Sequence, residues 1–119
     1  METSADFYGS FTILPSSEDA EGELKALESL GDCIREDYNY WRIDDYDLEP
    51  RSAASETDSD VVFEELVKVV QILEEMGWQP YGRIIRCADD VNLQDIDLYL
   101  ISPEDGEVRR KRGYFEELD

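Results

Sequence analysis

The chain has 119 residues, 31 of them acidic and 11 basic, for a formal charge of −20. That length holds one domain, because two halves would each be too short to bury a good core. Hydrophobic residues at 41% and aromatic residues at 11% exclude wholesale disorder, and the sequence has no histidine, the commonest general base and transition-metal ligand.

Residues 6–14 alternate as a first strand, with Phe7, Gly9, Phe11 and Ile13 on one face. Pro15 ends it, and Ser16-Ser17-Glu18-Asp19 supply capping hydroxyls and first-turn acids for a helix. Leu24, Leu27, Leu30 and Ile34 then recur at helical spacing, with Gly22 and Gly31 weakening that helix. Tyr38–Ile43 is aromatic and β-branched enough for a second strand. Residues 44–60 hold seven acids, Pro50 and a Ser/Ala run, which predicts a mobile polar loop.

The clearest element follows. Asp58, Ser59 and Asp60 offer caps, and Val62, Phe63, Leu66, Val69, Val70, Leu73 and Met76 share one broad helical face. Gly77 suits the residue just past the helix end. Trp78 is expected in the core; Trp41 fits either a core or an interface. Residues 83–89 predict a third strand and Asp89–Gln94 a turn. Residues 95–101 alternate, with Ile96, Leu98 and Leu100 expected inward and Asp95, Asp97 and Tyr99 outward. Ser102–Gly106 is a hairpin turn and Val108–Tyr114 a returning strand. The order β-α-β-loop-α-β-β-β predicts an α+β domain: an antiparallel sheet of about five strands with two helices on one face.

The charge narrows function. Nucleic acid and the anionic membrane surface would both repel this chain, whereas a basic protein would be drawn to it. Alternatively the acid serves solubility alone. Residues 1–60 carry 17 acids and 4 bases, net −13, so the first half is the more anionic. The opening METSADFYGS lacks the basic and apolar regions of a secretory signal, and no apolar run approaches the ~18 residues of a membrane span. Cys33 and Cys87 form neither a C-x-x-C nor a zinc pattern and are expected as small buried residues, bridged or not. A cytoplasmic, reducing compartment is the expected setting.

Two acidic clusters stand out. Asp44, Asp45, Asp47 and Glu49 could hold a hard cation, complement a partner's Lys and Arg, or simply be solvated. Neighbouring Trp41 and Tyr46 favour a partner-binding surface, since aromatic residues are enriched at interfaces. Asp89, Asp90, Asp95 and Asp97, with Asn92, form the second. They lack the central glycine and closing glutamate of a calcium loop, and no nearby lysine or histidine completes a metal-nuclease site. Arg109-Arg110-Lys111-Arg112 is expected to pair with Asp95 and Asp97 on the neighbouring strand. The glycines are too scattered for a phosphate loop, and neither cysteine has a histidine to activate it. No cofactor, metal site or enzymatic activity is expected.

Phe63 through Met76, Gly77-Trp78, Tyr81-Gly82, Asp89-Asp90, Asp95, the following turn and Val108 resemble a group of small acidic proteins from phages and prophages. The aromatic start Phe7-Tyr8-Gly9-Ser10-Phe11 is similar too. The likeness covers the first strand and residues 60–110, while 44–60 has no counterpart and the Gly77-Trp78-Gln79-Pro80-Tyr81 order is rearranged. The resemblance implies a viral setting and no particular activity. Together these readings predict a non-enzymatic acidic protein that occupies a basic, nucleic-acid-binding surface of a partner, such as a nuclease. In a phage setting that is an anti-defence DNA mimic. The alternatives are an immunity protein or antitoxin against one basic toxin, or an accessory protein whose charge only gives solubility.

Overall fold

A computed structural model of the chain describes residues 5–14, 20–89 and 94–113. Its elements are β1 (Ala5–Leu14), α1 (Ala20–Asp37), β2 (Trp41–Asp44), β3 (Asp47–Pro50), a 3-10 turn (Ser52–Glu56), α2 (Ser59–Glu75), β4 (Gln79–Asp89), β5 (Gln94–Ile101) and β6 (Val108–Gly113). The six strands form one sheet in the order β2-β3-β1-β4-β5-β6, and each neighbouring pair is antiparallel. The fold is α+β, as the residue pattern predicts.

The sixth strand comes from the segment expected to be a loop. Residues 44–60 instead close a tight hairpin, pairing Asp44 with Asp47 and Ile43 with Leu48, and then run through the 3-10 turn into α2. The hairpin turns at Asp45, whose φ of 51° lies in the left-handed region that aspartate tolerates better than most residues. Leu48 is fully buried and supplies the apolar anchor that a composition rich in acid hides. The β1–β3 ladder is short: Phe11 pairs with Leu48 and Thr12 with Asp47, and Ile13 N–H donates to Tyr46 O at 2.7 Å. The next partner in register is Pro50, which has no N–H to offer.

α2 follows its expected pattern. The Asp58 carboxylate accepts from the Asp60 N–H at 2.9 Å, so it caps the helix start. Val62, Leu66, Val69, Val70 and Leu73 are buried. The helix closes with Gly77 at φ 87° and the Trp78 N–H donating to Leu73 O at 2.8 Å, a Schellman end that needs glycine. Met76, expected on the buried face, is the C-cap and 61% exposed. In α1, Leu27 and Ile34 are buried, and Gly31 lies so close to Ile43 that an added Cβ would sit 3.4 Å from the isoleucine Cβ. The residues expected to cap α1, Ser16 to Asp19, lie outside the described residues.

One core joins both helices to one face of the sheet, with Trp78 in it as expected. Trp41 is at its centre, its ring 6.1 Å from Phe11 and 6.3 Å from Tyr99 between centroids, with Nε1–H donating to Val62 O at 2.9 Å. Two glycines let β1 and β4 pack closely. Gly9 has φ 102° and its missing Cβ would meet Arg83 O at 2.7 Å; Gly82 has φ 131° and its Cβ would meet Ser10 O at 3.1 Å.

Ile96 is buried as expected, at 5% exposed, but from there on β5 has the opposite phase to the one expected. Tyr99 and Ile101 are fully buried under the helices and Asp97 is 3% exposed, while Leu98 and Leu100 turn to the helix-free face. A strand with apolar residues in both phases does not declare its face, and a one-residue slip exchanges them all. Here the polar atoms of Asp97 and Tyr99 have partners. Tyr99 and Ser59 hydroxyls share a hydrogen bond of 2.8 Å, and Asp97 is held by two arginines. The cysteines also depart from expectation: Cys33 is exposed on α1 and Cys87 is half-buried on β4.

Candidate functional site

The β2–β3 hairpin carries the first acidic cluster at one edge of the sheet. Asp44, Asp45 and Asp47 are exposed and form no ion pair among the described residues. Asp44 and Asp47 are directly cross-strand, an arrangement that costs stability for like charges. Glu49 differs: Arg42 across the ladder holds it at 2.6 Å, which neutralises it. Tyr46 is half-buried against the core and its carbonyl is engaged by Ile13. Trp41 is removed from the expected binding surface altogether, because it is fully buried and its one polar atom is satisfied. The surface that remains at the hairpin is three carboxylates.

α1 extends it. Glu28, Asp32 and Glu36 are exposed and recur at four-residue spacing, so they line one side of the helix, and none is ion-paired among the described residues. Asp32 follows Gly31, the residue seated on Ile43 of β2, so this stripe and the hairpin belong to neighbouring elements. Sequence reasoning missed the stripe because it followed the helix's apolar positions; the four-residue repeat of acid was the available signal. Lys25 and Arg35 interrupt the helix surface without pairing to it among the described residues.

The second acidic cluster does not assemble as a site among the described residues. Asp90 and Asn92 lie outside them; Asp89 and Asp95 are described only as backbone of β4 and β5. Asp97 is structural. Its side chain is 4% exposed, and Arg86, itself 9% exposed, bonds it at 3.1 Å while Arg112 reaches its other oxygen at 3.1 Å. Three of the four bases of the run are engaged, two of them in the same network, and Lys111 has no ion pair among the described residues. Arg110 and Arg112 bond Asp60 at 2.7 and 2.9 Å, stapling the first turn of α2 to β6, and Arg109 holds Asp105 and Glu107. The Asp97 partner expected for the run is therefore Arg112, while Arg110 goes to Asp60 and lies 4.9 Å from the Phe63 ring centre as a cation–π contact. The Arg110 hydrogen bond and the Arg112 charge hold the Asp60 carboxyl below its ordinary pKa. Burial pushes the Tyr99 hydroxyl up, against the Ser59 hydrogen bond.

A shallow cleft of about 290 Å³ opens where β3 ends, lined by Phe7, Gly9, Arg42, Arg51 and Ser55 among others. Its cations are engaged: Arg42 by Glu49, and Arg51 by the carbonyls of Arg35 and Tyr38. Among the described residues no three acidic or thiol groups converge to hold a metal ion, and no helix is long and apolar enough to cross a membrane. No family model matches the chain, nor does any curated protein or solved structure.

Proposed function

We propose that this is a non-enzymatic acidic binding protein whose carboxylates occupy the basic, nucleic-acid-binding surface of a partner protein in place of phosphates. The observation that carries the reading is the division of labour among the charges. The bases on β4 and β6 are largely consumed within the fold, whereas Asp44, Asp45, Asp47 and the α1 stripe stand exposed without counter-ions among the described residues. Unpaired carboxylates on rigid elements present a fixed anionic pattern to guanidinium and ammonium groups, which speeds and orients encounter. In the phage setting that the sequence resembles, the partner is a nuclease of host defence and the protein its inhibitor.

The test is capture of the tagged chain's partner across a salt series, with mass spectrometry and competition by DNA. A basic nucleic-acid-binding protein, released by about 0.5 M salt or displaced by DNA, supports the reading. Replacing Asp44, Asp45 and Asp47 by Asn is expected to slow association far more than replacing Glu104 and Asp105 by their amides. Equal effects refute the site.

A further inference from the structure

The sheet face turned away from the helices is a separate surface. Strand pairing sets Tyr8, Ile85 and Leu98 in one row across β1, β4 and β5, ending at Lys111 on β6. Leu100 stands in the next row between Arg83 and Arg109. Tyr8 is 58% exposed, and none of these residues belongs to the core cluster that the helices share with the opposite face.

Among the described residues of this face four acids and four bases cancel, in a chain of −20. These charges are also divided. Asp6, Asp44, Asp47, Glu49 and Arg42 lie on the β2-β3-β1 half; Arg83, Arg109 and Lys111 lie on the β4-β5-β6 half. Arg42 is engaged by Glu49, and Arg109 by Asp105 and Glu107. Among the described residues, Asp6, Asp44 and Asp47 are left without ion pairs on one half and Arg83 and Lys111 on the other.

We propose that this face is a homodimer interface, two copies packed sheet to sheet about a two-fold axis parallel to the strands. That axis lays β1 of one copy over β4 of the other, joins the two apolar rows, and sets each acidic half over a basic half. A two-fold axis running across the strands would set acid on acid. An isologous contact needs a self-complementary surface, and the division of charge supplies one. At ~4.8 Å between strands and ~3.3 Å per residue the whole face measures at most roughly 700 Å², with its Ile96 end already buried, toward the lower end of the ~600–1,000 Å² per partner of a standard interface. Each copy carries −20 overall against the few charges paired across the face, so salt screens the net repulsion between the copies and strengthens the dimer. Asp44 and Asp47 belong to both surfaces, so the dimer and a complex with a basic partner compete for this half of the face; that complex weakens as salt rises, which separates the two proposals.

The experiment is sedimentation velocity of the full chain from about 20 to about 300 mM salt. The expected species has twice the 13.8 kDa mass of one chain and gains population as salt rises. Tyr8→Lys and Leu98→Lys should each raise the dimer dissociation constant by about tenfold or more, with circular dichroism confirming the fold. A chain carrying Arg83→Glu and Lys111→Glu, and one carrying Asp6→Lys, Asp44→Lys and Asp47→Lys, should each stay monomeric alone and pair when mixed. A wild-type monomer at every salt and concentration, a dimer indifferent to Tyr8→Lys and Leu98→Lys, or folded charge variants that fail to pair would overturn the proposal.

Discussion

Replacing Asp97 by Ala would separate the structural acid of this chain from its functional acid. The carboxylate is 4% exposed and bonded by Arg86 and Arg112 at 3.1 Å each. Arg112 can fall back on Asp60 and water, but Arg86 is 9% exposed and keeps only a long contact of 3.5 Å to Thr57 O. Its Nε already has no hydrogen-bond partner among the described residues. Removing one member of a buried pair leaves an uncompensated charge and costs ~3–5 kcal/mol. That is a large part of the ~5–15 kcal/mol holding a domain of this size. At ~4 °C per kcal/mol it lowers Tm by ~12–20 °C. Urea unfolding followed by far-UV circular dichroism measures it. The double variant Arg86→Met/Asp97→Leu removes both charges and should recover most of the loss. A loss below ~1 kcal/mol for Asp97→Ala, or a double variant no better than the single, would refute the claim that the pair is desolvated. Folded Asp97→Asn should associate with a basic partner as wild type does.

Gly9→Ala should destabilise by ~2 kcal/mol or more in the same assay, since the new Cβ would meet Arg83 O at 2.7 Å at a φ of 102°. Tyr99→Phe should cost about 1 kcal/mol by leaving Ser59 without its hydroxyl partner. The raised Tyr99 pKa means the folded state holds that proton more tightly than the unfolded state. Its contribution is therefore complete below the ordinary value of 10.0 and is lost as pH rises toward the folded value. Thermal melts at rising alkaline pH should show the loss, and Tyr99→Phe should flatten it. Asp60 has the opposite sign: its contribution is present above the ordinary 3.8 and fades as pH falls, so Asp60→Asn should blunt acid sensitivity.

The helices and the β5–β6 turn were legible because local chemistry set them. Asp58, the apolar repeat and Gly77 define α2, and the turn ending at Gly106, with φ 66°, joins β5 to β6. The β2–β3 hairpin was not legible, because its apolar content is one buried leucine, Leu48, amid acids, and its turn uses Asp45 in place of glycine. The phase of β5 was hidden for a different reason. Asp97 and Tyr99 look like surface residues until Arg86, Arg112 and Ser59, each distant in sequence, supply their partners. The same distance effect misplaced Trp41. The hydrogen bond that fits its indole to the core comes from Val62, 21 positions away.

The acid on the hairpin and on α1 is held against the fold's own interest. Asp44 faces Asp47 across the ladder, and Glu28, Asp32 and Glu36 follow one another at the spacing where like charges repel. Each such pair costs a few tenths of a kcal/mol or more, and no described base relieves it. Replacing Asp44, Asp45, Asp47 and Asp32 by Asn should therefore stabilise the domain, by ~1 kcal/mol in total, with a rise in Tm readable by calorimetry. Solubility alone predicts that gain with no loss of association. A binding role predicts that the stabilised variant is the one that no longer engages a basic partner, the trade expected where a surface is kept for function. A variant that is both more stable and fully competent to bind would remove these carboxylates from the interface and return the charge to solubility.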